Sequence, residues 1–188
     1  VRASHLRHFL ELAEAARPEL GGAEQARWLA RLDLERENFL AAHAWADREE
    51  GSAERGLRLA YALGSYWFTR GQPGLGLRLS KEALARRGAQ ERSVARCRTL
   101  FDAGQHCCFT GRYEEAQGPL EESLAIAREL EGRRVPTAQG GCWTHMQVKS
   151  VIGFAAARGG LEQRPLARGR AALLRSARGR AARMAPAA

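Results

Sequence analysis

Residues 57–84 and 97–124 carry one pattern twice, forty residues apart. With the segments aligned, Arg58 falls on Arg98, Tyr61 on Phe101, Gly64 on Gly104 and Gly71 on Gly111. Gly76 falls on Ala116, Glu82 on Glu122, Ala83 on Ser123 and Leu84 on Leu124. Self-similarity at a fixed period of a few tens of residues is the signature of a repeat array. One unit of such an array cannot bury its apolar face alone. Stacked units make extended surfaces more readily than closed active sites.

The periodicity within and around the repeats is helical throughout. Leu6, Phe9, Leu10 and Ala13 form a stripe at three- and four-residue steps, which predicts a helix over 4–16 ended by Pro18 and Gly21-Gly22. Trp28, Leu29, Leu32, Phe39, Leu40 and Trp45 predict one long helix over about 23–48, closed by Gly51-Ser52. The first repeat then reads as helix A over 54–70, a turn at Gly71-Gln72-Pro73 and helix B over 74–87. In the second, helix A covers 92–110, Gly111-Arg112 turn, and helix B covers 113–131 with a stripe of Tyr113, Ala116, Leu120, Leu124 and Ala127. Gly71 and Gly111 sit where a helix ends in a left-handed residue. Gly64 and Gly104 lie inside helix A, where Gly is costly. Close approach of the unit's own helix B, with Gly76 and Ala116 as the facing small residues, is the expected compensation. Pro119 should bend helix B or remove one of its hydrogen bonds.

The fold class is therefore all-α. The chain divides into an N-terminal helix pair (1–53), two repeats (54–91 and 92–132) and a basic segment (133–188). No apolar run reaches the roughly 18–20 residues of a membrane span, and the N-terminus lacks signal-peptide organisation. A cytoplasmic setting is the expectation, and the missing initiator Met points to a fragment of something longer. The formal net charge of +9 is unevenly spread. Residues 1–132 hold 19 Lys/Arg against 20 Asp/Glu, whereas 133–188 hold 11 Lys/Arg against Glu162 alone. After Arg134 the repeat register is lost: Thr144, Val151 and Arg164 stand where a third unit would place Gly, Gly and Leu.

The spacing of Gly104, Gly111, Tyr113, Ala116, Leu120, Ser123 and Leu124 resembles the tetratricopeptide repeat (TPR). Gly64, Gly71, Gly76, Ala83 and Leu84 carry the likeness in the first unit, where Pro73 replaces the usual aromatic and Ser80 the apolar residue. The leading segment, through Phe9, Leu12-Ala13-Glu14, Pro18-Glu19-Leu20, Glu24-Gln25, Trp28-Leu29, Leu32 and Glu37-Asn38, resembles the start of the helical-repeat arm in bacterial STAND-type signal-transduction ATPases, many of which carry LuxR- or SARP-type DNA-binding domains. Both resemblances cover residues 1–132. They imply a right-handed superhelix of antiparallel helix pairs. They also imply a non-catalytic regulatory arm that binds a protein or small effector, the rest of the parent protein being a further partner. No phosphate-binding GxxxxGK[ST] loop occurs, and no cofactor is expected.

In such arrays the groove is lined by helix A residues turned away from helix B. The resemblance carries this to Arg58, Tyr61, Ser65 and Phe68, then Arg98, Phe101, Gln105 and Cys108. An Arg beside an aromatic suits a carboxylate or a peptide with an apolar anchor; packing alone would also keep these residue types. His106, Cys107 and Cys108 are adjacent on a helix and diverge by about 100° per residue, so they do not converge on a metal. Cys107, aligned with Trp67, is expected in the core, and His5 and His8 as an exposed pair. No acid pair or Ser/His/Asp set has catalytic spacing. The alternative partner is nucleic acid, through Arg164, Arg168, Arg170, Arg175, Arg178, Arg180 and Arg183. No aromatic follows Phe154 to stack on bases. An Arg/Ala/Gly/Pro-rich stretch without register is also what a GC-rich gene yields out of frame; on that reading 135–188 is a frameshift or truncation product.

Overall fold

The computed structural model describes residues 2–46 and 51–133. The basic segment after Arg133, and with it the phosphate-contact and frameshift readings, lies outside the described residues. Among these the chain is all α: α1 (Arg2–Glu19), α2 (Gln25–Leu34), α3 (Arg36–Trp45), α4 (Ala53–Thr69), α5 (Pro73–Ala85), α6 (Val94–Phe109) and α7 (Tyr113–Gly132). The helices of the two repeats, α4–α5 and α6–α7, start and stop within about two residues of their sequence-based bounds.

Local chemistry explains those bounds. Gly71 and Gly111 have φ of 68° and 74°. At each, the following amide bonds five residues back: Gln72 N–H to the Trp67 carbonyl and Arg112 N–H to the Cys107 carbonyl, both 2.8 Å. The glycine amides bond to Phe68 and Cys108. This paired closure satisfies the last carbonyls of a helix and needs a left-handed residue between. Ala in place of Gly71 should lower the unfolding free energy by about 1 kcal/mol, read as a shift in urea midpoint at unchanged slope. The start of α6 is set by Ser93, whose hydroxyl accepts from the Arg96 amide at 3.2 Å.

Three expectations fail. Pro18 does not stop α1 but rides in its last turn. The long helix over 23–48 is two helices, broken at Glu35, whose amide bonds to Leu32 in a tightened turn. Asp33, just before the break, accepts from the Tyr66 hydroxyl at 2.9 Å and from Arg70, so α4 pins the segment there. Leu34 is left 85% exposed by the turn. Gly64 does not serve its own helix B. A Cβ there would overlap the Asp102 carboxylate of α6, and one at Gly76 would lie 2.7 Å from the His106 ring of α6. Only Gly104 faces its own helix B, and there it leaves room for Leu120 on α7 rather than facing Ala116. α7 runs through Pro119 unbroken, so that residue's cost is the hydrogen bond it cannot donate.

α4 packs against α1, α5 and α6, while α6 packs against α4, α5 and α7. The first helices of successive layers, α1, α4 and α6, thus lie side by side. The largest apolar cluster joins α1, α2, α3 and α4 around Phe9, Phe39, Tyr66 and Trp67. Smaller ones join α4 to α5 and α6 to α7. Burial of each large side chain is worth about 1.5–3 kcal/mol, and Trp67 and Phe39 are essentially fully buried. The leading helices therefore act as a full apolar layer beneath the repeats.

Candidate functional site

Of the residues expected to line a groove, Arg58 and Arg98 reach between the side-by-side helices α1, α4 and α6. Arg58 is exposed and donates from Nε and Nη2 to both carboxylate oxygens of Glu14 on α1, at 2.8 and 2.7 Å. These bonds hold its guanidinium above the usual pKa, against a smaller opposing effect of burial. Arg98 is half-buried and leans back in the same way, its guanidinium carbon 5.3 Å from the centre of the Tyr61 ring on α4. Each repeat Arg thus reaches to the preceding layer, one onto a carboxylate and one onto an aromatic face. Ser65, Phe101 and Gln105 are half-buried along the same helices, and Phe101 packs on the α5–α6–α7 core.

Cys108 departs from expectation. It is 5% exposed and packs with Leu77, Ala103, Cys107, Ala116 and Leu120, and burial pushes its thiol pKa up. At the end of α6 the exposed side chain is Phe109 instead. Phe109 is 55% exposed and Phe68 42%, and their ring centres lie 4.3 Å apart. The forty-residue register hides Phe109, because it aligns Phe68 with Cys108. The signal is a one-residue slip: Phe-Thr precedes each turn at 68–69 and 109–110. Both threonines do the same thing, donating to the carbonyl four residues back at 2.8 Å.

The second feature missed by sequence reading is Arg17. Its guanidinium donates to Asp102 on α6 through Nη1 at 3.0 Å and Nη2 at 3.2 Å. The same group bonds the Tyr61 carbonyl and covers the Tyr61 ring, 3.5 Å from its centre. Asp102 is 3% exposed. Burial pushes its carboxyl pKa up, and Arg17 opposes that rise. Burial is the strongest single influence and works against the charge of Arg17, yet Asp102 and Tyr61 together outweigh it and hold the guanidinium above its ordinary pKa. His106, one turn on, is buried with Nε2 3.3 Å from the Gly64 carbonyl and Nδ1 without a hydrogen-bond partner. Burial lowers its pKa.

The thiols of Cys97 and Cys107 are fully buried, and burial raises both pKa values. His5 is half-buried and His8 exposed, and both flank the Phe9 ring. Among the described residues no three His, Cys, Asp or Glu side chains converge as a metal site, and no helix is long and apolar enough to cross a membrane. The helices carry a stacked pair of phenyl rings at one end, two guanidinium groups over the Tyr61 ring at the other, and amide and hydroxyl groups between. No family model matches the chain, and no curated protein or solved structure matches it.

Proposed function

We propose that the chain is a non-catalytic, TPR-like binding module whose α1–α4–α6 face takes an extended segment of a partner protein. In this reading the layers continue as a right-handed superhelix, and the module serves as a regulatory arm of a larger signalling ATPase or transcription regulator. The carrying observation is the exposed Phe68–Phe109 pair on the same face as Arg98 and Tyr61. Aromatic side chains and Arg are enriched at protein interfaces relative to the rest of the surface. Arg98 and Phe109 stand about 16 Å apart along α6 at 1.5 Å per residue. An extended chain at about 3.3 Å per residue spans that distance in about five residues. The preferred segment therefore carries an apolar anchor and a carboxylate about five residues apart.

Selection of displayed random peptides on the full chain tests this. Enriched sequences should pair an aromatic or large aliphatic residue with an acid at that spacing. They should lose at least tenfold in affinity on a chain carrying Phe109→Ala and Arg98→Glu. Failure to enrich any sequence, or equal binding to that variant, removes the reading.

A further inference from the structure

Arg17 and Asp102 are 85 positions apart and meet across α4, a helix that belongs to neither. In a linear array each layer touches its neighbours, stability is a sum of unit and neighbour terms, and one layer can open without those further along. α1 is the leading layer here, packed on α4 and α3. Through Arg17 it also grips the next layer but one. The crossing is possible because position 64 has no side chain: a Cβ there would overlap Asp102 Oδ2 and lie 3.4 Å from Arg17 Nη1. The same guanidinium covers the Tyr61 ring.

We propose that the Arg17–Asp102 pair is a latch. It makes α1 open together with the second repeat rather than alone, and its release uncovers Tyr61 and Asp102 on the α1–α4–α6 face in a single event. The interaction is of the kind that can hold a helix in place. Asp102 is almost wholly buried and the pair is bidentate, so its attraction is little screened by water, unlike that of an exposed pair such as Arg78–Glu82. The latch is independent of what the face binds.

Hydrogen exchange followed by mass spectrometry on the full chain tests it. In the unmodified protein the slowest amides of α1 should exchange at the rate of the slowest amides of α6. Gly64→Ala leaves both charged partners in place and favours the α4 helix by intrinsic propensity, yet puts a methyl group where the carboxylate lies. It should speed exchange of α1 roughly a hundredfold relative to α7, as should Asp102→Asn, which keeps shape and removes charge. α1 exchanging faster than α6 in the unmodified chain overturns the proposal. So does equal acceleration of every helix in the variants, which would mean general destabilisation, or no acceleration at all. If neither variant folds, the comparison of α1 with α6 in the unmodified protein decides alone.

Discussion

Replacing Arg17 with methionine should lower the unfolding free energy by about 3–5 kcal/mol at neutral pH. Met keeps much of the aliphatic stem, so little of the loss is packing. The loss comes from Asp102, which is 3% exposed and at neutral pH must either ionise without its bidentate partner or take up a proton. The sign of the pH dependence follows. Burial already raises the Asp102 pKa, and without Arg17 it must rise further. A carboxyl with a raised folded pKa favours the folded state below its unfolded pKa and loses that advantage as pH rises through the folded value. The deficit of the variant should therefore be largest at neutral pH and shrink towards pH 4. Adding Asp102→Leu removes the orphaned charge and should recover a large part of the loss. Urea unfolding of the two variants at neutral and acid pH measures all of this. A single-variant loss below about 1 kcal/mol, as for a surface pair, would mean that the pair is not buried in solution.

The contrast between Gly71 and Gly64 marks how far the sequence could be read. Gly71 and Gly111 end a helix through bonds within five residues, so neighbouring residue types were enough to predict their conformation. The same holds for the helices of both repeats, whose apolar stripes are local. Gly64 has the same residue type and the same repeat position as Gly104, yet faces Asp102 of the next layer where Gly104 faces Leu120 of its own unit. Periodicity says which side of a helix is inward. It does not say which distant charge arrives there. Arg17 was invisible for that reason: nothing near residue 17 announces a partner at 102. Glu35 interrupts an apolar stripe that continues on both sides, and the groups that bond Asp33 beside the break come from more than thirty positions away. Among the expected groove positions Cys108 is core and Phe101 packs on the α5–α6–α7 core, and Phe109 was masked by the one-residue slip. Arg58 and Arg98 align in sequence but meet different partners, because the layer before each differs.

A second buried site should make the protein acid-sensitive well above the ordinary carboxylate range. His43 on α3 is 3% exposed. Its Nε2 lies 2.9 Å from the Leu79 carbonyl, which fixes the proton on that nitrogen, while Nδ1 lies 3.2 Å from Nη2 of the buried Arg86. Arg86 also donates to the His43 carbonyl at 2.6 Å and occupies space left by Gly56. Burial first, and the Arg86 charge second, lower the His43 pKa from 6.5 to about 4. A group whose folded pKa is depressed contributes stability that is present above the unfolded pKa and is lost as pH falls towards the folded one. The unfolded chain therefore takes up a proton below pH 6.5 that the folded chain refuses until about pH 4. About 3 kcal/mol of stability should disappear across that window, with no further loss from this group below it. His106 is also lowered and adds in the same direction, whereas the raised Asp102 acts in the opposite one. The clean quantity is thus the difference between the unmodified chain and His43→Gln, in which those contributions cancel. Gln can still donate to the Leu79 carbonyl but does not titrate. Between pH 7 and pH 4 the unmodified protein should lose about 3 kcal/mol more than the variant, and parallel pH profiles for the two would show that His43 is not held neutral by the α3–α5 contact.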